Sequence, residues 1–122
     1  MELLCETLKI GTANYFDYFC GMNTTHNFNP ILSNLGISAL NEMQEVSHDA
    51  IINENNVLLL SPTGSGKTLA FLLPLFELLQ PEILSVQCLI LVPSRELGLQ
   101  IEQVWKKMGT GYKVNVCYGG HS

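Results

Sequence analysis

One octapeptide, Ser-Pro-Thr-Gly-Ser-Gly-Lys-Thr at residues 61–68, constrains the fold more than any other part of the chain. A short apolar run, residues 57–60, precedes it, and a long apolar stretch, residues 69–79, follows it. Because a strand, a glycine-rich turn and a helix are expected in this order, the pattern predicts a loop that binds phosphate groups. The alternative is a glycine-rich turn with an incidental Lys-Thr pair, and both flanking segments argue against it.

The residue types within this loop suit the chemistry of a triphosphate. Glycine has no Cβ, so the backbone at Gly64 and Gly66 can take positive φ and wrap closely around an anion. Lys67 can place its ammonium on the β and γ oxygens, and the Thr68 hydroxyl can bind Mg²⁺. The usual pattern opens with glycine, where this chain has Ser61. The predicted nucleotide-phosphate-binding residues of the loop are Thr63, Gly64, Ser65, Gly66, Lys67 and Thr68.

Composition favours one globular domain and a reducing compartment. The 122 residues are 47% hydrophobic and only 14% charged, which favours a folded core over disorder. The four cysteines show neither C-x-x-C pairing nor a histidine at zinc-ligand spacing, so we expect free thiols. No signal peptide or bilayer-length apolar run is visible, and a cytoplasmic location without membrane contact is therefore predicted.

The charge distribution limits how nucleic acid could bind. The net charge is −5, with seven acids and only Lys9 as a base in residues 1–60, against four acids and five bases in residues 61–122. No basic stripe exists, so any nucleic-acid contact must use a few placed groups and not a broad positive surface.

Helix signals recur along the chain after residues 1–27, which show little periodicity and are predicted to be an N-terminal extension or flap. Pro30 can open a helix that Gly36 ends, and Asn41 caps a second that extends to about Asn53. The buried stripe of this second helix is predicted to be Met43, Val46, Ala50 and Ile51. A long buried helix should follow the loop, and Ser94 should cap another whose core face is Leu97, Ile101, Val104, Trp105 and Met108.

Three apolar runs alternate with these helices and are predicted to be strands: residues 57–60, 86–92 and 112–118. The first is apolar at every position, as expected for a parallel strand that is covered on both faces. Helices that alternate with strands predict an α/β fold with βαβ crossovers.

Four motifs in order resemble the first part of the first RecA-like domain of DEAD-box ATP-dependent RNA helicases. Residues 35–44, with Phe28 upstream, resemble the Q motif, and residues 61–68 match motif I. Residues 93–97, Pro-Ser-Arg-Glu-Leu, resemble motif Ia, and Gly119-Gly120 resembles the Gly-Gly motif. The resemblance covers residues 28–122 and implies a P-loop NTPase fold, a three-layer parallel sheet with flanking helices, here incomplete.

This resemblance implies roles for further residues. Gln44 would pair with the adenine edge and Phe28 would cover the base, whereas taken alone they read as an exposed helical glutamine and a core aromatic. Arg95 would grip an RNA phosphate, or else pair on the surface with Glu96. Gly119 and Gly120 would allow an RNA strand to approach the backbone closely.

The sequence lacks the Asp-Glu-Ala-Asp and Ser-Ala-Thr motifs and a second RecA-like domain. Phosphoryl transfer needs an acid for Mg²⁺, a group that orients water and an arginine, so we expect a truncated product or fragment that is inactive alone. The implied ligands are ATP with Mg²⁺ and single-stranded RNA, bound weakly through its backbone. The alternatives are a non-catalytic nucleotide- or RNA-binding remnant, or another P-loop enzyme such as a small-molecule kinase.

Overall fold

The computed structural model describes residues 27–120, in which four helices pack around an apolar core. They are α1 (Asn29–Leu35), α2 (Glu42–Asn53), α3 (Lys67–Leu78) and α4 (Arg95–Met108). Helix α3 packs against both α2 and α4, and α1 packs against α4. The predicted N-terminal extension lies, apart from Asn27, outside the described residues.

Helix α3 forms the centre of the core, as its uniformly apolar sequence predicts. Every residue from 69 to 75 is buried, and Leu72 is fully inaccessible. Burying one such leucine stabilises the fold by about 1.5–3 kcal/mol. Pro74 lies inside the helix and has no N–H to donate, but its ring is buried among these side chains.

The helix ends follow the predicted signals. Gly36 at φ 70° ends α1, and Gly109 at the same φ ends α4. The Asn41 side chain accepts a hydrogen bond from the Gln44 N–H, and the Gln44 side chain accepts one from the Asn41 N–H, both at 3.0 Å. Ser94 Oγ accepts from the Leu97 N–H at 3.2 Å and caps α4. These side chains satisfy N–H groups that a helix start leaves unpaired.

The predicted buried stripe of α2 is wrong in part. Its buried residues are Gln44, Ser47 and Ile51, whereas Val46 is 63% exposed. The helix is rotated so that Gln44 faces the loop at residues 61–66, and this rotation moves Val46 outward. The buried Ser47 hydroxyl donates to the Met43 carbonyl at 2.6 Å, so its polar oxygen is satisfied.

The three predicted strands are extended segments that pair into no strand ladder within residues 27–120. Burial alternates along residues 57–60, 88–92 and 112–118 because one side of each segment packs on the helical core and the other faces solvent. The prediction that residues 57–60 are covered on both faces is therefore wrong for this structure, and residues 86–92 are likewise buried on one side only. The exposed side includes Leu58, Leu60, Leu89 and Leu91, and Val86 is exposed as well, before the alternation begins.

The segments form no sheet and are buried on one side only because the strands and helices that would complete a sheet are not formed within residues 27–120. A parallel sheet needs neighbouring strands for its hydrogen bonds and helices on both faces for its apolar side chains. Residues 27–120 place helices against one face only. Within the same range, no helix is long and apolar enough to cross a bilayer.

Candidate functional site

The loop that follows residues 57–60 turns on two glycines. Gly64 has φ 81° and Gly66 has φ 90°, in the left-handed region that other residues rarely adopt. Gly66 is constrained a second time, because a Cβ there would lie 2.5 Å from Gln44 Nε2. Helix α3 begins at the next residue, Lys67. The glycine loop and the helix after it are thus present as the sequence predicts, whereas the predicted strand before them is not formed within residues 27–120.

Two side chains hydrogen-bond to the backbone of this loop, one from the N-cap residue of α2 and one from α2 itself. Asn41 Nδ2 donates to the Ser65 carbonyl, and Gln44 Nε2 donates to the Gly66 carbonyl, both at 3.2 Å. In a planar trans peptide the carbonyl and the N–H of the next residue point in opposite directions. Fixing these two carbonyls toward α2 therefore directs the N–H groups of Gly66 and Lys67 away from it.

The N–H groups at the start of α3 are available as donors. Those of Gly64, Gly66, Lys67 and Thr68 donate to no backbone carbonyl within residues 27–120. They lie at the positive end of a 12-residue helix, where unpaired N–H groups and the helix dipole both favour an anion. An anion such as a phosphate group is favoured at unpaired donors of this kind.

Lys67 lies along the loop and not out in solvent. Its Nζ donates to the carbonyls of Ser61 and Pro62, each at 2.8 Å. Ser61 Oγ donates to Ser65 Oγ at 2.6 Å. Ser61, at the position where the usual pattern has glycine, thus connects the first residue of the loop to Ser65 near its end.

Gln44 has a structural role that the sequence analysis missed. The side chain is 6% exposed, and its oxygen and its nitrogen are both engaged, with Asn41 and Gly66. The Asn-x-x-Gln spacing was the available signal, since it matches a capping box. One amide hydrogen of Gln44 takes part in neither bond. The predicted contact with adenine stays a prediction.

Phe28 lies beside α2 and is half-buried. Its ring contacts the His48 ring edge-on, with 5.4 Å between centroids. His48 Nε2 also lies 2.8 Å from Glu77 Oε2, a contact that joins α2 to the last turn of α3. Phe28 therefore packs on α2 about one helical turn from Gln44, and stacking on a base stays a prediction.

The other predicted site residues meet at a second location. Arg95 is the first residue of α4, and its guanidinium carbon lies 4.1 Å from the centroid of the Tyr118 ring. Gly119 and Gly120 follow Tyr118 directly, and Gly120 has φ 97°. The structure thus brings motif Ia and the Gly-Gly pair together. Among the described residues Arg95 forms no ion pair with Glu96.

The cysteines and histidines form no metal centre in the part of the chain that the structure describes. Cys88 is half-buried and Cys117 is exposed, and both are free thiols. Burial raises the pKa of Cys88 above its ordinary value, because desolvation disfavours the thiolate. A protonated thiol is a poor nucleophile and a poor metal ligand.

A glycine-rich loop that closes onto a helix N-terminus, with a lysine at the first helical position, defines the phosphate-loop class of proteins. The family model described as DEAD/DEAH box helicase matches residues 41–122. The chain belongs to this family. A DEAD helicase domain has a RecA-like fold, although the sheet of that fold is not formed within residues 27–120.

Curated relatives agree with this assignment. The ATP-dependent RNA helicase DHH1 of Gibberella zeae is 40% identical over 81 residues, 66% of this chain and 16% of the relative. The DEAD-box ATP-dependent RNA helicase CshC of Bacillus cereus is 39% identical over 80 residues, 66% of this chain and 21% of the relative. The ATP-dependent RNA helicase DeaD of Escherichia coli is 38% identical over 92 residues, 73% of this chain and 15% of the relative.

The chain therefore spans between 15% and 21% of the length of these relatives. No solved structure matched it.

Proposed function

We propose that residues 28–122 are the part of a DEAD-box ATP-dependent RNA helicase that binds ATP and contacts single-stranded RNA. The observation that carries this proposal is the pair of bonds from Asn41 and Gln44 to the loop carbonyls. They join residues of the Q motif to motif I, which supports the proposal that the two motifs form one site. The alternative of a small-molecule kinase explains neither these two hydrogen bonds nor the match to the helicase family.

The residues present fit an ATP triphosphate with Mg²⁺. The unpaired N–H groups of Gly64, Gly66, Lys67 and Thr68 would surround a phosphate, and the Lys67 ammonium would exchange its two loop carbonyls for phosphate oxygens. The Thr68 hydroxyl would be a ligand of Mg²⁺, which in the family's chemistry bridges phosphate oxygens and neutralises their charge. Thr63 and Ser65 complete the loop.

Selection of ATP over GTP would come from α2. Gln44 offers its remaining amide hydrogen and oxygen lone pair to the adenine edge, and Phe28 would cover the base. Because the same Gln44 amide holds Gly66, base recognition and loop conformation depend on one side chain.

We propose that this chain does not hydrolyse ATP alone. Its carboxylates on α2, such as Glu42 and Glu45, are exposed and lie on a helix whose buried face holds Gln44. No Asp-Glu-Ala-Asp sequence is present to position Mg²⁺ and water. Steady-state phosphate release well above background would contradict this proposal. It would also exclude the alternative that the chain is a non-catalytic nucleotide- or RNA-binding remnant.

Calorimetric titration of the 122-residue chain with ATP and GTP, each with Mg²⁺, tests nucleotide binding. ATP should bind more tightly than GTP, and Lys67→Ala should abolish measurable binding. Lys107→Ala is the matched control, since Lys107 is an exposed lysine in the last turn of α4. Equal affinity for the two nucleotides, or an unchanged affinity in Lys67→Ala, would contradict the proposal.

RNA contact would use Arg95, Gly119 and Gly120. Because few phosphates are contacted, binding should be weak, and log affinity should fall with log salt by about 0.7 per phosphate contact. An affinity for a uridine oligomer that does not change with salt would contradict this assignment.

A further inference from the structure

The contact between Arg95 and Tyr118 joins two segments that are far apart in sequence. Arg95 opens α4, and Tyr118 ends the extended segment 112–118. The guanidinium carbon lies 4.1 Å from the ring centroid, well inside the ~6 Å range of a cation–π interaction. The exposed Arg95 side chain is therefore held over a half-buried ring that belongs to another part of the fold.

This contact leaves the hydrogen-bonding capacity of the guanidinium available. A cation–π interaction uses the attraction of the positive charge to the ring face, whereas phosphate is bound through N–H donors in the guanidinium plane. One arginine side chain can therefore lie over an aromatic ring and bind an anion at the same time. Lysine is less suited to this because it lacks a planar fork of donors.

The location matches the RNA contact proposed above. Tyr118 is followed at once by Gly119 and Gly120, whose backbone can be approached closely because neither has a Cβ and neither has an atom within 4 Å of where a Cβ would lie. Ring, guanidinium and open glycine backbone are thus neighbours at one end of the molecule.

We infer that Tyr118 is a positioning residue for nucleic-acid binding: its ring holds the Arg95 guanidinium where it meets an RNA phosphate beside Gly119 and Gly120. Holding the side chain in place lowers the conformational entropy that an arginine loses when it binds. This inference rests on the proposed RNA contact, and it adds a residue that the motifs alone do not assign.

The test compares Tyr118→Leu with the matched control Tyr118→Phe, which keeps the ring. Binding of a fluorescent single-stranded uridine oligomer to the 122-residue chain is measured by anisotropy at several salt concentrations. Tyr118→Leu should weaken binding by about two- to fivefold, the range expected for an exposed cation–π contact. Tyr118→Phe should bind like the parent chain.

A double-mutant cycle with Arg95→Ala separates positioning from other effects. Arg95→Ala should weaken binding and reduce the salt slope by about 0.7, and adding Tyr118→Leu to it should have no further effect. If Tyr118→Leu weakens binding equally in the Arg95→Ala background, Tyr118 acts independently and the inference is overturned. Equal affinity of Tyr118→Leu and the parent chain overturns it too.

A second readout does not depend on RNA. In the parent chain the Arg95 side-chain protons should show upfield ring-current shifts, which Tyr118→Phe keeps and Tyr118→Leu removes. Absence of these shifts in the parent chain overturns the inference. If Tyr118→Leu removes these shifts but Arg95→Ala has no effect on RNA binding, the proposed RNA contact is wrong. The positioning role of Tyr118 is then wrong as well.

Discussion

Gly66 combines two requirements that only glycine meets at this position. Its φ of 90° is costly for any residue with a Cβ, and a Cβ would also collide with the Gln44 amide that holds its carbonyl. The sequence predicts the first requirement, because the spacing of Gly64, Gly66 and Lys67 is that of a phosphate loop. It does not predict the second, since the contact with Gln44 crosses 22 residues of chain.

Substituting Gly66 should therefore damage the site more than strain alone would. We expect Gly66→Ala to lose the Gln44–Gly66 hydrogen bond and to weaken ATP binding at least tenfold in a calorimetric titration, a cost of about 1.4 kcal/mol. The control is Gly111→Ala, at φ 80° with nothing within 4 Å, which should cost about 1–2 kcal/mol of stability from strain and leave ATP affinity unchanged. Equal ATP affinities in the two variants would contradict the Gln44 contact.

The two described cysteines should differ in reactivity. Cys88 is half-buried with a raised pKa, whereas Cys117 is exposed. Because the thiolate is the reactive form, iodoacetamide should modify Cys117 before Cys88 at neutral pH, as peptide mass spectrometry would show. Preferential modification of Cys88 would contradict its placement against the core.

The raised pKa of Cys88 also fixes the direction of a pH effect. The folded state releases the thiol proton at a higher pH than the unfolded state, so the free energy of unfolding falls as pH rises above the ordinary thiol pKa. Cys88→Ser should reduce this alkaline loss in urea unfolding experiments. An alkaline loss that is the same in Cys88→Ser would show that other groups cause it.

Helix α2 connects stability with the site at the scale of elements. Its cap residue Asn41 accepts from the Gln44 N–H through Oδ1 and donates to the Ser65 carbonyl through Nδ2. The sequence predicts the cap and the helix, because both depend on neighbours along the chain. It places the buried face incorrectly at Val46, because the contacts with the loop and α3, which periodicity cannot register, decide how the helix is rotated.

Asn41→Ala and Ser94→Ala form a matched pair for testing this connection. Each removes one N-cap, so each should reduce the free energy of unfolding by about 1 kcal/mol in urea denaturation. Only Asn41→Ala should also weaken ATP binding, by several-fold, because only Asn41 holds the phosphate loop. Should the two variants bind ATP equally well, the Asn41–Ser65 bond has no role in the site.

At the scale of the whole molecule, the helices cover one side of the extended segments and leave the other side exposed. Ile90 and Val92 pack on the core, whereas Leu89 and Leu91 are 68% and 80% exposed. The sequence predicts which segments are extended and apolar. It cannot predict their pairing, because a strand's neighbours are set by the rest of the sheet and not by its own residues.

This one-sided burial predicts contrasting effects for two leucine substitutions. Leu72→Ala, in the centre of α3, should reduce the free energy of unfolding by about 2–5 kcal/mol because it leaves a cavity. Leu89→Ala should change the free energy of unfolding by less than about 0.5 kcal/mol, because the Leu89 side chain is mostly exposed and makes few contacts in the fold. Urea denaturation measures both, and a large loss in Leu89→Ala would show that the outer side is covered in solution.

ATP binding at the phosphate loop can be tested residue by residue in an NMR titration of the ¹⁵N-labelled chain with ATP and Mg²⁺. The largest amide shifts should fall on Gly64, Gly66, Lys67 and Thr68, whose N–H groups are unpaired within the described residues, and Lys67→Ala should abolish them. Shifts spread over the surface of α4 with the loop amides unmoved, or a titration unchanged by Lys67→Ala, would contradict ATP binding at this loop.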